Sequence, residues 1–310
     1  MKTTLLPGTD LTASNVIAGM MRIAELTDEQ IRSLHNAARE AGVNFIDHAD
    51  VYGRDHLCER RWADAVRLTP AERAELVIQT KAGIVPSGPL FDFSKEHLLD
   101  AVEGSLKALG TDYIDLLLLH RPDALVEPDE VAAAFGQLRS QGKVRHFGVS
   151  NHTPLQIELL KRSVAQPLVV NQLQLSITHA PLVAEGVAAN MQALPQSVDR
   201  GAGILDYCRL NSITVQAWSP FQKGFFDGVF LGDRQNYPEL NDLLDQLAAK
   251  YGVEPISIAV AWITRHPANM QVVLGTTTPA RVKAAALGSD LPLTRPEWYA
   301  LFRAAGHLVP

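Results

Sequence analysis

Four residues of complementary chemistry stand at the ends of strand-like runs. Val43-Asn44-Phe45-Ile46 runs into Asp47, with Tyr52 in the loop that follows; Leu76 to Thr80 runs into Lys81; Leu116 to Leu119 runs into His120. Neighbouring strand ends of a parallel sheet lie about 5 Å apart, so residues from three successive strands can meet in one cluster. A tyrosine hydroxyl, with an unperturbed pKa of about 10, is a poor acid at neutral pH, but an ammonium beside it favours the phenolate and lowers that value. Lys81 is expected to supply the ammonium, Asp47 to pair with it, and His120 to donate a hydrogen bond to an oxygen bound beside Tyr52. The set suits protonation of a carbonyl oxygen as negative charge develops on it. Singly, each residue has a plainer reading: Asp47 as a loop cap, Tyr52 as a packed aromatic, Lys81 as a solvated cation, His120 as a hydrogen-bonded core histidine. Their joint placement at one end of successive strands argues for a site.

The elements that must position them follow a regular alternation. Strands are expected at Val16 to Met20, Val43 to Asp47, Leu76 to Thr80, Asp115 to Leu119, Val144 to Val149, Leu168 to Leu173, Ile213 to Trp218 and Gln271 to Leu274. Between them lie helical patterns. Thr27 with Gln30 forms a capping box ahead of Ile31, Leu34 and Ala38, and Gly42 stands at the stop. Ser94 caps a helix that carries Leu98, Val102, Leu106 and Leu109 and ends at Gly110. Val131, Phe135 and Leu138 precede Gly142; Thr153-Pro154 opens another helix, and Leu240, Leu243, Leu247 and Tyr251 line one that ends at Gly252. Eight such units predict a single (β/α)8 TIM barrel spanning residues 1–310, with chemistry at the carboxyl-terminal ends of the strands. An open doubly wound sheet is disfavoured, since no GxGxxG follows any strand, and Gly201-Ala202-Gly203 reads as a loop. Thr3 to Leu11, with Pro7-Gly8-Thr9-Asp10 at its turn, predicts an N-terminal hairpin, and Arg295 to Ala305 an appended C-terminal helix. Ser176 to Arg200 reads as a long connection with little helical signal.

Composition narrows the function classes. The 310 residues are 46% hydrophobic and 20% charged, which excludes collagen-like and disordered chains and leaves enough apolar material for a sizeable core. A net charge of -6 argues against a general nucleic-acid or anionic-membrane binder, so any phosphate site must be local. Two cysteines, Cys58 and Cys208, without CxxC spacing, build neither a disulfide framework nor a Cys-rich zinc site. The amino terminus lacks a signal-peptide apolar region, and the longest apolar run, Ile256 to Ile263, is too short to span a bilayer. A cytoplasmic location is expected.

Asp47-His48-Ala49-Asp50-Val51-Tyr52-Gly53, Thr80-Lys81, the run Asp115 to His120, and Gly142-Lys143-Val144-Arg145-His146-Phe147-Gly148-Val149-Ser150-Asn151 together resemble the aldo-keto reductase superfamily, in order and through nearly the whole chain. The resemblance implies a (β/α)8 barrel that reduces aldehydes or ketones with a nicotinamide dinucleotide and no metal. It implies Tyr52 as proton donor, tuned by Lys81 and Asp47, with His120 orienting the carbonyl. Ser150, Asn151 and Gln172 match the residues that hold the nicotinamide carboxamide, and Trp218 the ring that stacks on the nicotinamide. Ser219 and Phe221 match the segment over the pyrophosphate; Gly19 and Met20 match residues beside the nicotinamide ribose.

After the eighth strand comes Gly275-Thr276-Thr277-Thr278-Pro279-Ala280-Arg281. Small residues that expose backbone amides, three hydroxyls and the start of a helix suit an anion. The resemblance assigns this loop to the adenosine 2′-phosphate and aligns Arg281 with the family's arginine, which implies NADPH. Gly275 stands where many members have lysine, and Ala284-Ala285 where they have Glu-Asn; Lys283 reads as a solvated helix residue. His48, Asp50, His56 and Cys58 crowd one loop but lack a matching histidine array on later strands, so no metal is expected. A small-molecule carbonyl substrate is the expected partner, its pocket shaped by Met21, Arg22, Asp50 to Arg54, Ser176 to Pro195 and the carboxyl-terminal tail. Two rivals stand beside this reading: a nucleotide-binding regulatory subunit with negligible turnover, and a metal-dependent barrel hydrolase.

Overall fold

The computed structural model describes residues 1–85, 87–225 and 227–310. Two short strands open the chain, β1 (Thr3–Leu5) and β2 (Thr12–Ser14), paired antiparallel with Thr3 opposite Ser14. The hairpin therefore runs three residues beyond the expected Leu11, because Leu6 to Leu11 closes on itself through a bond from the Leu6 amide to the Leu11 carbonyl (2.9 Å). The barrel strands are β3 (Val16–Gly19), β4 (Phe45–Asp47), β5 (Val77–Ala82), β8 (Ile114–Leu119), β9 (Val144–Ser150), β10 (Leu168–Gln174), β11 (Thr214–Trp218) and β12 (Gln271–Leu274). All eight pair parallel in chain order, and β12 closes on β3. A second small hairpin, β6 (Ile84–Val85) with β7 (Leu90–Phe91), follows the Lys81 strand.

Helices cover the barrel: α1 (Asp28–Glu40), α2 (Leu57–Val66), α3 (Pro70–Ala74), α4 (Lys95–Leu109), α5 (Pro128–Ser140), α6 (Pro154–Lys161), α7 (Pro181–Val187), α8 (Ile204–Leu210), α9 (Pro238–Tyr251), α10 (Pro255–Thr264), α11 (Pro279–Leu287) and α12 (Arg295–Ala304). Their ends are chemically marked. Thr27 and Gln30 make the expected reciprocal capping box on α1, and Gly110 and Gly252 close α4 and α9 in the left-handed region (φ 62° and 67°). The stretch Ser176 to Arg200 corrects its expectation: it contains α7 and a 3-10 turn at Pro195–Ser197. Seven residues opened by a proline, with alanine as N-cap, leave too little periodicity to read. The appended helix α12 is present and stacks Trp298 on Trp262 of α10 at 4.8 Å between ring centres.

Alternation along the strands divides the core in two. Ile17, Phe45, Val77, Leu116, Leu118, Val169 and Val273 point into the barrel and meet Leu6, Leu11 and Ala13 of the hairpin, which plugs the amino-terminal end. The opposite faces of the same strands, with Ile46, Ile78, Leu117 and Val149, pack on the helices. Moving towards the carboxyl-terminal ends, the interior changes from apolar to polar. Asp47 lies opposite Gln79, and Ser150, Gln172, Gln216 and Gln271 are in register across β9 to β12.

Several histidines are buried or half-buried in this frame. Burial holds His35, His48, His152 and His266 at pKa values of about 4, so all four are neutral in the folded chain near neutrality. Unfolded, each takes up a proton near its ordinary 6.5. As pH falls from about 6.5 towards 4 the unfolded state therefore binds more protons and stability drops. Asp50, pushed up to about 7 by burial and the charge of Glu59, works in the opposite sense. So does His56, where Glu59 outweighs a burial that would lower its pKa. The larger group of four is expected to dominate, giving a lower Tm at pH about 4.5 than at pH about 7 in thermal melts; a flat or rising Tm would contradict it.

Candidate active site

Strand order brings β4, β5 and β8 side by side, so Asp47, Lys81 and His120 share one end of the barrel. Lys81 lies within β5 and is fully buried. Its ammonium donates to both Asp47 carboxylate oxygens (2.7 Å each), to the His48 carbonyl (2.8 Å) and to the Tyr52 hydroxyl (3.1 Å). Burial works against that ammonium, but Asp47 and Tyr52 more than offset it and raise its pKa. The Tyr52 and His120 rings meet edge to face, 5.8 Å apart. Burial, reinforced by the charges of Lys81 and Arg121, holds the His120 imidazole well below its usual pKa, so it is neutral. Its Nδ1 is buried without a partner among the described residues, which leaves Nε2 as the ring nitrogen available to a ligand.

One expectation changes in sign. Burial raises the Tyr52 phenol above its ordinary pKa, and Lys81 only opposes that rise. The hydroxyl is thus protonated near neutrality, held by an ammonium able to stabilise the phenolate left when the proton departs.

The Tyr52 loop is anchored at both ends. Its residues Arg54, Asp55 and His56 lie in the left-handed region (φ 69°, 43° and 58°), turning the chain into α2. His56 Nδ1 bonds Glu59 at 2.6 Å, and the same carboxylate accepts from Ser105 and from Thr80, the residue before Lys81. The loop is thereby tied to the lysine strand. His48, Asp50, His56 and Cys58 occupy separate surroundings: the His48 ring packs on Trp62, His56 is held by Glu59, and Cys58 Sγ contacts the Met21 carbonyl. Among the described residues no group of three or more His, Cys, Asp or Glu is arranged to hold a metal ion.

A cavity of about 1020 Å³ opens over this cluster, walled by Gly19, Ser150, Asn151, Gln172, Trp218, Ser219 and Phe221, and runs on to Gly275, Thr276, Thr277 and Arg281. Ser150, Asn151, Gln172 and Trp218 form one hydrogen-bonded group. Trp218 Nε1 donates to Asn151 Oδ1 (3.1 Å), Asn151 Nδ2 to Ser150 Oγ (2.8 Å), and Ser150 Oγ to the Gln172 carbonyl (2.9 Å). Asn151 and Ser219 take positive φ (61° and 52°), which aims both strand ends into the cavity. Arg281, exposed on the first turn of α11, lines the far end beside the threonines. A hydrogen-bonding group beside an indole at one end, and hydroxyls, a helix start and an arginine at the other, fit an elongated ligand with an amide-bearing ring and a distal phosphate.

Met20 departs from expectation: its side chain is buried in the core, and Met21 lines the cavity instead. Neither Ser176 to Pro195 nor the carboxyl-terminal tail lines it among the described residues. The tail packs on the connection through His307 with the Ile177 carbonyl, and on Gln196 just after it through Leu308. Lys283 pairs with Glu40, and Ala284 and Ala285 are buried. The wall near α11 is instead completed by Asn241, Asp245 and Glu254.

A buried amide chain was not anticipated. Gln79 and Gln172 both donate to Asp47 Oδ1 and to Gln216 Oε1; Gln216 donates to Gln271, which reaches the Ser14 carbonyl. These bonds orient Asp47 from the barrel interior. The signal available was a glutamine in the middle of each of several apolar runs, which is costly unless paired.

The chain belongs to the aldo/keto reductase family, whose model matches residues 15–303. It is 33% identical over 313 residues to the uncharacterized oxidoreductase YcsN of Bacillus subtilis, covering 97% of each chain. It is 31% identical to a 6-dehydroglucose reductase of Agrobacterium fabrum, covering 95% of each. Among solved structures, the glycerol dehydrogenase of Gluconobacter oxydans superposes with a TM-score of 0.79 at 25% identity, covering 99% of this chain and 96% of that one. The family is one of oxidoreductases on this barrel that typically bind a nicotinamide cofactor.

Proposed function

We propose that the protein reduces an aldehyde or ketone to an alcohol with NADPH, Tyr52 giving the proton to the carbonyl oxygen. The observation that carries this reading is the Lys81 ammonium held between Asp47 and the Tyr52 hydroxyl on the cavity floor. When bound, the dinucleotide supplies the hydride. Ser150, Asn151 and Gln172 would hold its carboxamide, Trp218 its nicotinamide face, Gly19 the neighbouring ribose, and Ser219 and Phe221 the pyrophosphate. Gly275, Thr276 and Thr277 with Arg281 would take the 2′-phosphate. Neutral His120 donates a hydrogen bond from Nε2 to the carbonyl oxygen, so negative charge building there meets two donors, the Tyr52 hydroxyl and the imidazole. As the proton leaves Tyr52, Lys81 stabilises the phenolate. The reading is of a cytoplasmic enzyme acting on small molecules, without a metal and without nucleic-acid or membrane partners; its net charge of -6 supports the latter.

The test is loss of NADPH absorbance with a panel of simple carbonyl compounds. Brisk consumption is expected, whereas quenching of tryptophan fluorescence by NADPH without consumption would point to a regulatory nucleotide binder. Arg281→Ala is expected to raise the KM for NADPH by roughly tenfold or more and to change that for NADH far less, since only NADPH carries the group it would bind. Equal losses with both cofactors would take Arg281 off the 2′-phosphate.

A further inference from the structure

Two cations that line the cavity have no carboxylate partner among the described residues and no place in the cofactor reading: the exposed Arg22 and Arg121, the residue after His120. Arg121 is the informative one. Its guanidinium carbon lies 5.7 Å from the ring centre of Trp218 and 5.9 Å from that of Phe225, half-buried between two aromatic faces. Among the described residues it has no carboxylate partner, and burial lowers its pKa with only Tyr52 in opposition. Other cations of the region are already paired: Lys81 is held by Asp47, and Arg234 by Asp242 and Asp245. Arginine does not shed its proton in proteins, so taking this charge out of water is costly until an anion arrives.

The surroundings say which anion. A guanidinium presents a planar fork that matches a carboxylate bidentately. Trp218 and Phe225 beside it, and Met21, Val51 and Ile84 elsewhere on the wall, are apolar, and suit the body of an organic acid. A single guanidinium in such a setting suits one planar monoanion, whereas a phosphate dianion draws on several donors, as the far end of the cavity provides. Arg121 lines the same cavity as His120 and Tyr52 and its charge is felt by both, so an acid group bound to it belongs to the molecule whose carbonyl faces them.

We propose that Arg121 binds the carboxylate of an anionic carbonyl substrate whose apolar body lies against Phe225 and the wall of Met21, Val51 and Ile84. The substrate class is thus oxo-acids and aldehyde-acids with an apolar spacer. The substrate part of this inference rests on the reductase reading; the anion site does not.

The experiment compares 4-carboxybenzaldehyde with 4-methylbenzaldehyde, molecules of similar size that differ in charge, and in parallel titrates benzoate by tryptophan fluorescence. The unaltered protein is expected to prefer the acid in kcat/KM. Arg121→Met should reduce the acid-to-neutral ratio by roughly 10- to 100-fold, mainly through the KM for the acid, and Arg121→Lys should restore part of it. Benzoate affinity should fall by a similar factor. An unchanged ratio overturns the substrate assignment, as does a loss in NADPH affinity without any change in the ratio, which would give Arg121 to the cofactor. If no compound of the carbonyl panel is reduced yet benzoate binding still depends on Arg121, the reductase reading fails and the anion site stands. Equal benzoate affinity in the unaltered protein and Arg121→Met removes the site, whatever the turnover.

Discussion

Tyr52→Phe is expected to lower kcat by roughly 10²- to 10⁴-fold while leaving NADPH affinity near normal. The change removes one oxygen and keeps the ring, so the edge-to-face contact with His120 at 5.8 Å survives. What disappears is the hydroxyl that joins the Lys81 ammonium to the cavity, and with it the proton that a developing alkoxide needs. Steady-state kinetics with any accepted carbonyl, together with a fluorescence titration of NADPH, separate the two quantities. Unaltered turnover would remove Tyr52 from the chemistry.

Lys81→Met should be damaging in two ways that can be measured apart. Turnover should fall at least as far as in Tyr52→Phe, because no cation remains to stabilise the phenolate. Stability should fall by about 3–5 kcal/mol, because Asp47, itself buried, loses its counter-ion. Adding Asp47→Asn to Lys81→Met removes the stranded charge and should recover much of the stability without recovering activity. Denaturant melts and kcat on the single and the double variant decide the matter; recovery of turnover in the double variant would show that Lys81 serves folding and not the reaction.

Much of this architecture could be read before any coordinates. The eight strands, the capping boxes, the glycine stops and the appended helix depend on local chemistry: side-chain oxygens that satisfy free amides, glycines that tolerate positive φ, and apolar residues spaced for one face. Asp47, Tyr52, Lys81 and His120 were legible as a group for the same reason, since a strand end is a local feature and the closure of a parallel barrel puts successive ends together. Helix α7 escaped notice because seven residues opened by a proline carry almost no period. The hairpin's second strand lies later than the turn residues suggest because its register is set by pairing with Thr3 to Leu5.

Other features belong to the folded molecule alone. Whether Met20 or Met21 faces the cavity turns on the exit angle of β3. The sign of the Tyr52 pKa shift follows from how far burial outweighs an ammonium 3.1 Å away. The glutamine chain behind Asp47 exists because β10, β11 and β12 set Gln172, Gln216 and Gln271 at one level. That Arg121 meets no carboxylate among the described residues is likewise invisible in the run His120-Arg121-Pro122, which looks the same whether or not one lies across the space. Residue order thus specified which groups would stand at the barrel mouth, because backbone periodicity is a short-range property. Their protonation and their unmet needs were settled by three-dimensional packing, because solvent exclusion and charge pairing act through space between segments far apart in the chain.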